Sequence, residues 1–250
     1  MLAKIVVGTD GSPTAGAAVT AAADLTERLG SHLLVVHAAE GEDAAEGGEI
    51  LARTRVGCAR LGHRVETSLV PGPPGEALVD VANVTQADLV VVGNRGMTGA
   101  RRMLGSVPNH VSHHASSHVL IVDTQRGGGS FARLLLATDG SESATRAIAF
   151  GADLARSLES EVVLTHVGEP GAGVEVLAEA AAAVGNGLPC RRRPAEGRPG
   201  PGIVEMAAVE GCDLIVVGSR GMTGARRMLG SVPNHVSHHA PCSVLIARTT

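Results

Sequence analysis

Two glycine-rich loops carry the residues of this chain that are best suited to bind an anionic ligand. The segment Arg95 to Ala115 reads RGMTGARRMLGSVPNHVSHHA, and the same 21 residues recur at 220–240. In each copy a helical pattern begins at a Gly-Ser pair, Gly105-Ser106 or Gly230-Ser231. Glycine lets a backbone approach a ligand closely, and the N–H groups at a helix N-terminus bind phosphate oxygens. The duplicated loops therefore predict phosphate binding, with an ordinary turn and a serine N-cap as the structural alternative.

Each copy also has an aspartate where its first predicted strand ends, Asp10 in VVGTDGS and Asp139 in LLATDGS. A carboxylate at this place could contact the ribose or base of a ligand, or an associated metal. Aspartate in such a sequence also forms an Asx turn that leads into the next helix. The residues alone leave both interpretations open.

Histidines near the loops give weaker functional signals. His110, His113 and His114 have the i, i+3, i+4 spacing that can gather imidazoles around a metal, and 235, 238 and 239 repeat it. No carboxylate or cysteine keeps a fixed spacing beside them, so we predict a packing or interface role and no metal. His37 and His166, which end the second predicted strands, are interpreted as hydrogen-bonding residues rather than catalytic bases.

Other chemistry is poorly supported. The loop arginines could pair with phosphate, but exposed arginines are common; they are Arg95, Arg101, Arg102, Arg220, Arg226 and Arg227. The sequence has no nucleophile with a spaced base and no GxxxxGK[ST] motif. A nucleotide-cleaving ligase would require SGGxDS or HxGH, which TDGSPT and TDGSES do not supply. We therefore predict that the chain is not an enzyme.

Composition excludes several classes of protein. Of 250 residues, 44% are hydrophobic and 18% charged, which argues against disorder. The absence of Trp and Tyr removes the aromatic platforms on which single-stranded nucleic acid stacks, and the net charge of -4 also disfavours a nucleic-acid partner. No apolar run approaches a membrane span or a signal peptide, so we expect a cytoplasmic protein without a membrane partner. Four cysteines without paired spacing are interpreted as small buried hydrophobes in a reducing compartment.

The elements that must position these residues occur twice. Apolar β-branched runs alternate with helical patterns as β-α-β-α-β-α-β-α-β in each half. The predicted fold is therefore two tandem doubly wound domains, residues 1–125 and 131–250, joined by a short Gly-rich linker. Each is an α/β domain with a five-stranded parallel sheet of order 3-2-1-4-5. In this fold ligands bind where the order reverses, outside the carboxyl ends of the first and fourth strands, and the Asp10 and Gly93 loops follow those strands.

With these motifs in place, the chain resembles the universal stress protein family in its tandem two-domain form. The nucleotide-binding members of that family carry Gly-x2-Gly-x9-Gly-Ser/Thr after the fourth strand. Here Gly93, Gly96, Gly105 and Ser106 occupy the motif, as do 218, 221, 230 and 231 in the second copy. One departure is that both copies have eight residues, not nine, between the second and third glycines.

The resemblance implies a Rossmann-like (HUP) fold that binds ATP, with Mg²⁺ as an optional companion and with slow intrinsic ATP hydrolysis as the one reaction left open. It places the aspartates on the adenosine side and the first two glycines of each loop near ribose. Adenine would lie near the residue after each second-strand histidine and near the valine before each loop. The Gly-Ser pairs would bind the phosphates, and the valines that follow them also belong to the implied binding site. The implied residues are Asp10, Ala38, Val92, Gly93, Gly96, Gly105, Ser106 and Val107, and in the second copy Asp139, Val167, Val217, Gly218, Gly221, Gly230, Ser231 and Val232.

Two functional interpretations follow from the sequence. The first is a regulatory protein in which bound ATP biases conformation or assembly. The second is a protein-interaction module that keeps the fold without binding nucleotide. The fifth strands are sheet edges in the predicted order, so we expect the two copies to pair through them, and the chain could also form a homodimer.

Overall fold

Two compact units divide the chain, Met1–Gly128 and Gly129–Thr250. The computed structural model describes residues 2–39, 44–94, 105–125, 131–219 and 229–249. The predicted linker therefore lies outside the described residues, as do Gly96, Gly221 and the six loop arginines.

Unit 1 alternates strands and helices along the chain. Its strands are β1 (Lys4–Gly8), β2 (His32–Ala39), β3 (Val65–Pro71), β4 (Leu89–Gly93) and β5 (His118–Val122). Its helices are α1 (Pro13–Leu29), α2 (Ala44–Gly57), α3 (Pro74–Val84) and α4 (Ser106–His114), and a short 3₁₀ segment spans Ala59–Arg64.

Unit 2 repeats the same order. Its strands are β6 (Arg133–Ala137), β7 (Glu161–Gly168), β8 (Cys190–Glu196), β9 (Leu214–Gly218) and β10 (Ser243–Ala247). Its helices are α5 (Glu142–Ser157), α6 (Gly173–Val184), α7 (Pro199–Val209) and α8 (Ser231–His239). The copies differ in length between the second helix and the third strand, where unit 2 has the turn 185–189 in place of the 3₁₀ segment.

The strand order in each unit confirms the predicted doubly wound fold. Within unit 1 the order is β3-β2-β1-β4-β5, within unit 2 it is β8-β7-β6-β9-β10, and the neighbours pair in parallel. Helices cover both faces of such a sheet, so its central strands are apolar throughout. Ile5, Val6 and Val7 of β1 are accordingly 0% exposed.

Local sequence explains where the first helix of unit 1 begins and ends. Ser12 is the N-cap of α1, its Oγ accepts a hydrogen bond from the Ala15 N–H, and Pro13 follows at the first helical position. Gly30 ends the helix in the left-handed conformation at φ 68°. The helix thus holds the Asp10 loop at a fixed place above β1.

Several predicted boundaries shift by one to three residues. The strands β2 and β7 continue to Ala39 and Gly168 instead of ending at the histidines. The apolar runs DLVVV and DLIVV predict that the fourth strands begin at Asp88 and Asp213, but β4 and β9 begin one residue later, at Leu89 and Leu214. None of the helices in the described ranges has the length and apolar character needed to cross a membrane.

Candidate functional site

A cleft of about 430 Å³ opens in unit 1 at the carboxyl ends of β1 and β4. This is the switch point of the sheet, where doubly wound folds bind ligands, and its volume is typical of small-molecule sites. The cleft is lined by Gly8, Thr9, Asp10, Ser12, Thr14, Ala15, Val36, Ala38, Pro74, Leu78, Val92, Gly93, Gly105, Ser106, Val107 and Pro108.

The loop after β1 is fixed by its own hydrogen bonds. Thr9 donates its N–H to the Val36 carbonyl at 2.9 Å, and its Oγ1 accepts from the Gly11 N–H at 3.2 Å. Asp10 Oδ1 accepts from the Ser12 N–H at 3.0 Å, which is the Asx turn left open by the sequence. Asp10 is exposed and lines the cleft, so a ligand bound there would lie next to this residue.

The floor of the cleft is apolar. Val36 and Ala38 lie two residues apart on β2, so their side chains share one face of the strand. Leu78 of α3 and Val92 of β4 complete the floor. This end of the cleft suits a flat apolar group such as a nucleobase.

The opposite end is the N-terminus of α4. Gly105 is the N-cap residue, and the first intrahelical bond of the helix runs from the Asn109 N–H to the Gly105 carbonyl at 3.0 Å. The N–H groups of the first helical turn have no intrahelical acceptor, and Pro108 has no N–H. The donors of this turn are therefore the N–H groups of Ser106 and Val107. Together with the helix dipole, these groups and the Ser106 hydroxyl form a site suited to an anion.

The start of the glycine loop is anchored to the end of β5. Asn94 donates its N–H to the Val122 carbonyl at 3.0 Å, and its Oδ1 accepts from Thr124 Oγ1 at 3.0 Å. A methyl group built on Gly93 would lie 3.1 Å from the Thr14 carbonyl oxygen. Glycine at this position therefore allows β4 to approach α1 at the rim of the cleft.

The structure brings together most of the residues predicted in unit 1. Seven of them line the one cleft: Asp10, Ala38, Val92, Gly93, Gly105, Ser106 and Val107. Gly96 lies outside the described residues. Ser106 is the first helical residue and Gly105 the N-cap, so the serine is not itself the N-cap.

Unit 2 places the predicted residues at the same points of its fold. Asp139 Oδ1 accepts from the Ser141 N–H at 3.0 Å, repeating the Asx turn. Val167 lies near the end of β7, and β9 ends with Val217 and Gly218. Gly230 is the N-cap of α8, and Ser231 and Val232 are its first two residues. Gly221 lies outside the described residues.

The strand-end histidines are hydrogen-bonding residues, as the sequence suggested. His37 is buried, and its Nδ1–H donates to the Thr9 carbonyl at 2.8 Å. His166 makes the same bond to the Thr138 carbonyl at 3.0 Å. A carbonyl only accepts, so each bond requires a proton on Nδ1 and ties the second strand to the aspartate loop.

Of the α4 histidines, half-buried His110 packs against the start of α3, whereas His114 is exposed. The rings of His110 and His114 stack with centroids 4.2 Å apart, and His114 Nδ1 bonds the His110 carbonyl at 2.8 Å. Burial lowers the pKa of His110 from its ordinary value and His114 lowers it further, while Glu76 and Asp80 act in the opposite direction. His235 of unit 2 has its pKa lowered by burial, by His239 and by Arg198.

Sequence reasoning missed the wall that α3 contributes. Pro74 and Leu78 line the cleft, as do Val36 of β2 and Thr14 of α1. Two features of the sequence indicate these residues. The alternation of side chains along β2 puts Val36 on the same face as Ala38, and the PGPPG turn starts α3 beside the switch point.

Sequence comparison relates both units to one family. The model of the Universal stress protein family matches residues 1–123, 130–184 and 168–248. Universal stress protein Rv1636 of Mycobacterium tuberculosis is 37% identical over 140 residues, covering 48% of this chain and 95% of that protein. A universal stress protein of Mycolicibacterium smegmatis is 29% identical over 243 residues, covering 88% of this chain and 81% of that protein.

Comparison with solved structures supports the fold. The crystal structure of a universal stress protein from Archaeoglobus fulgidus DSM 4304 covers 99% of this chain and 98% of its own, with a TM-score of 0.82 and 20% identity. At that identity the likeness shows the architecture alone.

Proposed function

The chain belongs to the universal stress protein family, and we propose that it is an ATP-binding regulatory member in which nucleotide binding biases conformation or assembly. The observation that carries the proposal is the unit 1 cleft. It joins an apolar floor to a helix N-terminus within about 430 Å³. A nucleoside triphosphate has the same division into an apolar base and an anionic tail.

The residues present fit such a ligand. The base would lie on Ala38 and Val92, and the ribose would lie beside Asp10 and Gly93. The phosphates would accept hydrogen bonds from the backbone and hydroxyl donors of Ser106. Mg²⁺ prefers oxygen ligands and would enter with the phosphates rather than at a protein cage.

We further infer a binding role rather than a catalytic one. The histidine nearest the aspartate loop, His37, is buried and bonded to a backbone carbonyl, which gives it a structural task. A cytoplasmic location, a homodimer and association of the two units through their fifth strands are parts of the same proposal.

The test is thermal unfolding with ATP and Mg²⁺, comparing the wild type with Gly105→Glu/Gly230→Glu. A ligand at 100 times its Kd that binds only the native state stabilises it by about 2.7 kcal/mol, which is roughly 5–10 °C in Tm for a chain of this size. Gly105 has φ -60° and ψ 164°, which any residue adopts, so the variants are expected to fold. Their carboxylates would repel the phosphates.

A matched control is Gly105→Gln/Gly230→Gln, which has similar bulk without charge. At an effective dielectric constant of 20, one added charge 4 Å from another costs about 4 kcal/mol, so the Glu variant should lose far more affinity than the Gln variant. If millimolar ATP stabilises none of the three proteins, the nucleotide proposal is wrong. The protein-interaction module would then be the better interpretation.

A further inference from the structure

The lining of the unit 1 cleft can be compared position by position with its copy in unit 2. Eleven of the 16 residues are identical, and these include the aspartate loop, the loop glycine and the whole first turn of α4. Three of the five differences lie on the apolar floor, at Val36/Thr165, Ala38/Val167 and Leu78/Ile203. The fourth, Gly8/Ala137, lies against Leu78, and the fifth is Thr14/Ser143. The phosphate end is thus common to both units and the base end is not.

The floor of unit 2 carries more bulk. Ala137 adds a methyl group where unit 1 has Gly8, and Val167 has an isopropyl group where unit 1 has the methyl of Ala38. Val167 is only 5% exposed, and its Cγ1 lies 2.5 Å from the position of a methyl group built on Gly202 of α7. Valine therefore requires the glycine beneath it.

Unit 1 has the complementary arrangement. The counterpart of Gly202 is Ala77, which leaves room for the small side chain of Ala38 but not for valine. A methyl group built on Gly8 would lie 2.6 Å from Cδ1 of Leu78. Each floor is therefore a set of residues that fit one another, and single exchanges would disturb the packing.

We propose that the two units carry inequivalent nucleotide sites, in which Gly8 and Ala38 make unit 1 selective for a purine nucleotide while unit 2 holds a nucleotide mainly by its phosphates. This inference rests on the proposed function and adds the specificity of each site. One methylene group in an apolar pocket changes discrimination by about 10–200-fold. The added methyl groups of unit 2 are expected to remove most of the preference for a purine.

The experiment uses full-length chains with one site disabled. Gly230→Glu leaves unit 1 as the reporter, and Gly105→Glu leaves unit 2. Calorimetry measures ATP, CTP and inorganic tripolyphosphate on each chain. Unit 1 should bind ATP at least about tenfold more tightly than CTP. Unit 2 should bind the two nucleotides within about threefold of each other, and tripolyphosphate should bind both units alike.

An exchange of floors tests which residues are responsible. The set Gly8→Ala, Val36→Thr, Ala38→Val, Ala77→Gly and Leu78→Ile gives unit 1 the floor of unit 2. The reverse set is Ala137→Gly, Thr165→Val, Val167→Ala, Gly202→Ala and Ile203→Leu. Each unit should acquire the ratio of ATP to CTP affinity of the unit whose floor it receives. Retained tripolyphosphate binding shows that each exchanged site is folded.

The outcomes separate this inference from the proposed function. The inference would be overturned if the ratio of ATP to CTP affinity were equal in the two units, or if exchanging the floors left that ratio unchanged. Either result would leave nucleotide binding intact. Binding of neither nucleotide nor tripolyphosphate to either chain would overturn both.

Discussion

Replacement of Asp10 decides what this residue contributes beyond its turn. Its Oδ1 accepts the Ser12 N–H at 3.0 Å, and Ser12 in turn caps α1. Asp10→Asn keeps an acceptor oxygen at the same place and removes the charge. Asp10→Ala removes both. The pair therefore separates the turn from any contact that depends on the carboxylate.

The expected magnitudes differ for folding and for binding. A hydrogen bond to a neutral partner contributes about 0.5–1.5 kcal/mol, and one to a charged group about 1.5–3 kcal/mol. The turn bond of Asp10 is exposed to solvent and therefore lies at the weak end of these ranges. Asp10→Asn should leave the free energy of unfolding within about 0.5 kcal/mol of the parent, whereas Asp10→Ala should lower it by about 1 kcal/mol. If the carboxylate holds the ribose, losing its charge costs about 1 kcal/mol of binding, so Asp10→Asn should weaken ATP about fivefold and Asp10→Ala more than tenfold.

The assay combines urea unfolding with calorimetry of ATP. Both variants are made in the Gly230→Glu background, so that only the unit 1 site is measured. If Asp10→Asn binds ATP as tightly as its parent while Asp10→Ala loses only stability, Asp10 is a turn residue and the assigned ligand contact is wrong.

Two further predictions concern titratable groups. The pKa values of His110 and His235 are lowered in the folded chain, so below about pH 6.5 the unfolded chain binds more protons than the folded one. The stability contributed by these neutral histidines is therefore present above that pH and is lost as the pH falls towards the native pKa values. Urea midpoints measured between about pH 7.5 and 5 should fall less in His110→Gln/His235→Gln than in the wild type; parallel curves would contradict the assignment. Burial raises the pKa of Cys212 to about 12 and leaves this thiol 0% exposed, whereas Cys190 is half-buried, so a thiol reagent should label the native chain at Cys190 and reach Cys212 only in denaturant. Labelling of native Cys212 at the denatured rate would refute this.

The sequence predicted the strand order and one face of the site because both follow from local patterns. Periodicity located the strands, and the serine before Pro13 marked the start of α1. The start of β4 is predicted one residue early because Asp88 interacts with residues far from it in the sequence. Its Oδ2 accepts the N–H groups of Ala3 and Lys4 at 2.7 and 2.9 Å, across more than 80 residues of chain.

The second wall of the site was missed for a related reason. Leu78 lines the cleft because β1 ends in Gly8, whose missing side chain leaves the space that Leu78 occupies. That fit joins residues of two distant elements, and no spacing along the chain reveals it. Residue types therefore identify the candidate ligand loops, whereas the shape of the apolar end of the cleft emerges only from packing.

Packing also gives a physical reason for the histidines of the repeated segment. A methyl group built on Gly75 would lie 2.9 Å from Cβ of His110, and one built on Gly200 would lie 2.8 Å from Cδ2 of His235. In unit 1, α3 begins with Pro74 in the wall of the cleft and α4 begins with the Gly105 turn on the other side. Glycine at position 75 therefore lets the start of α3 approach His110 of α4 closely. The same pair of residue types recurs in unit 2 although the flanking turns differ, PGPPG in one copy and GRPGP in the other. The first histidine of each copy therefore packs against the first turn of the preceding helix, which gives it a structural role on α4 and α8.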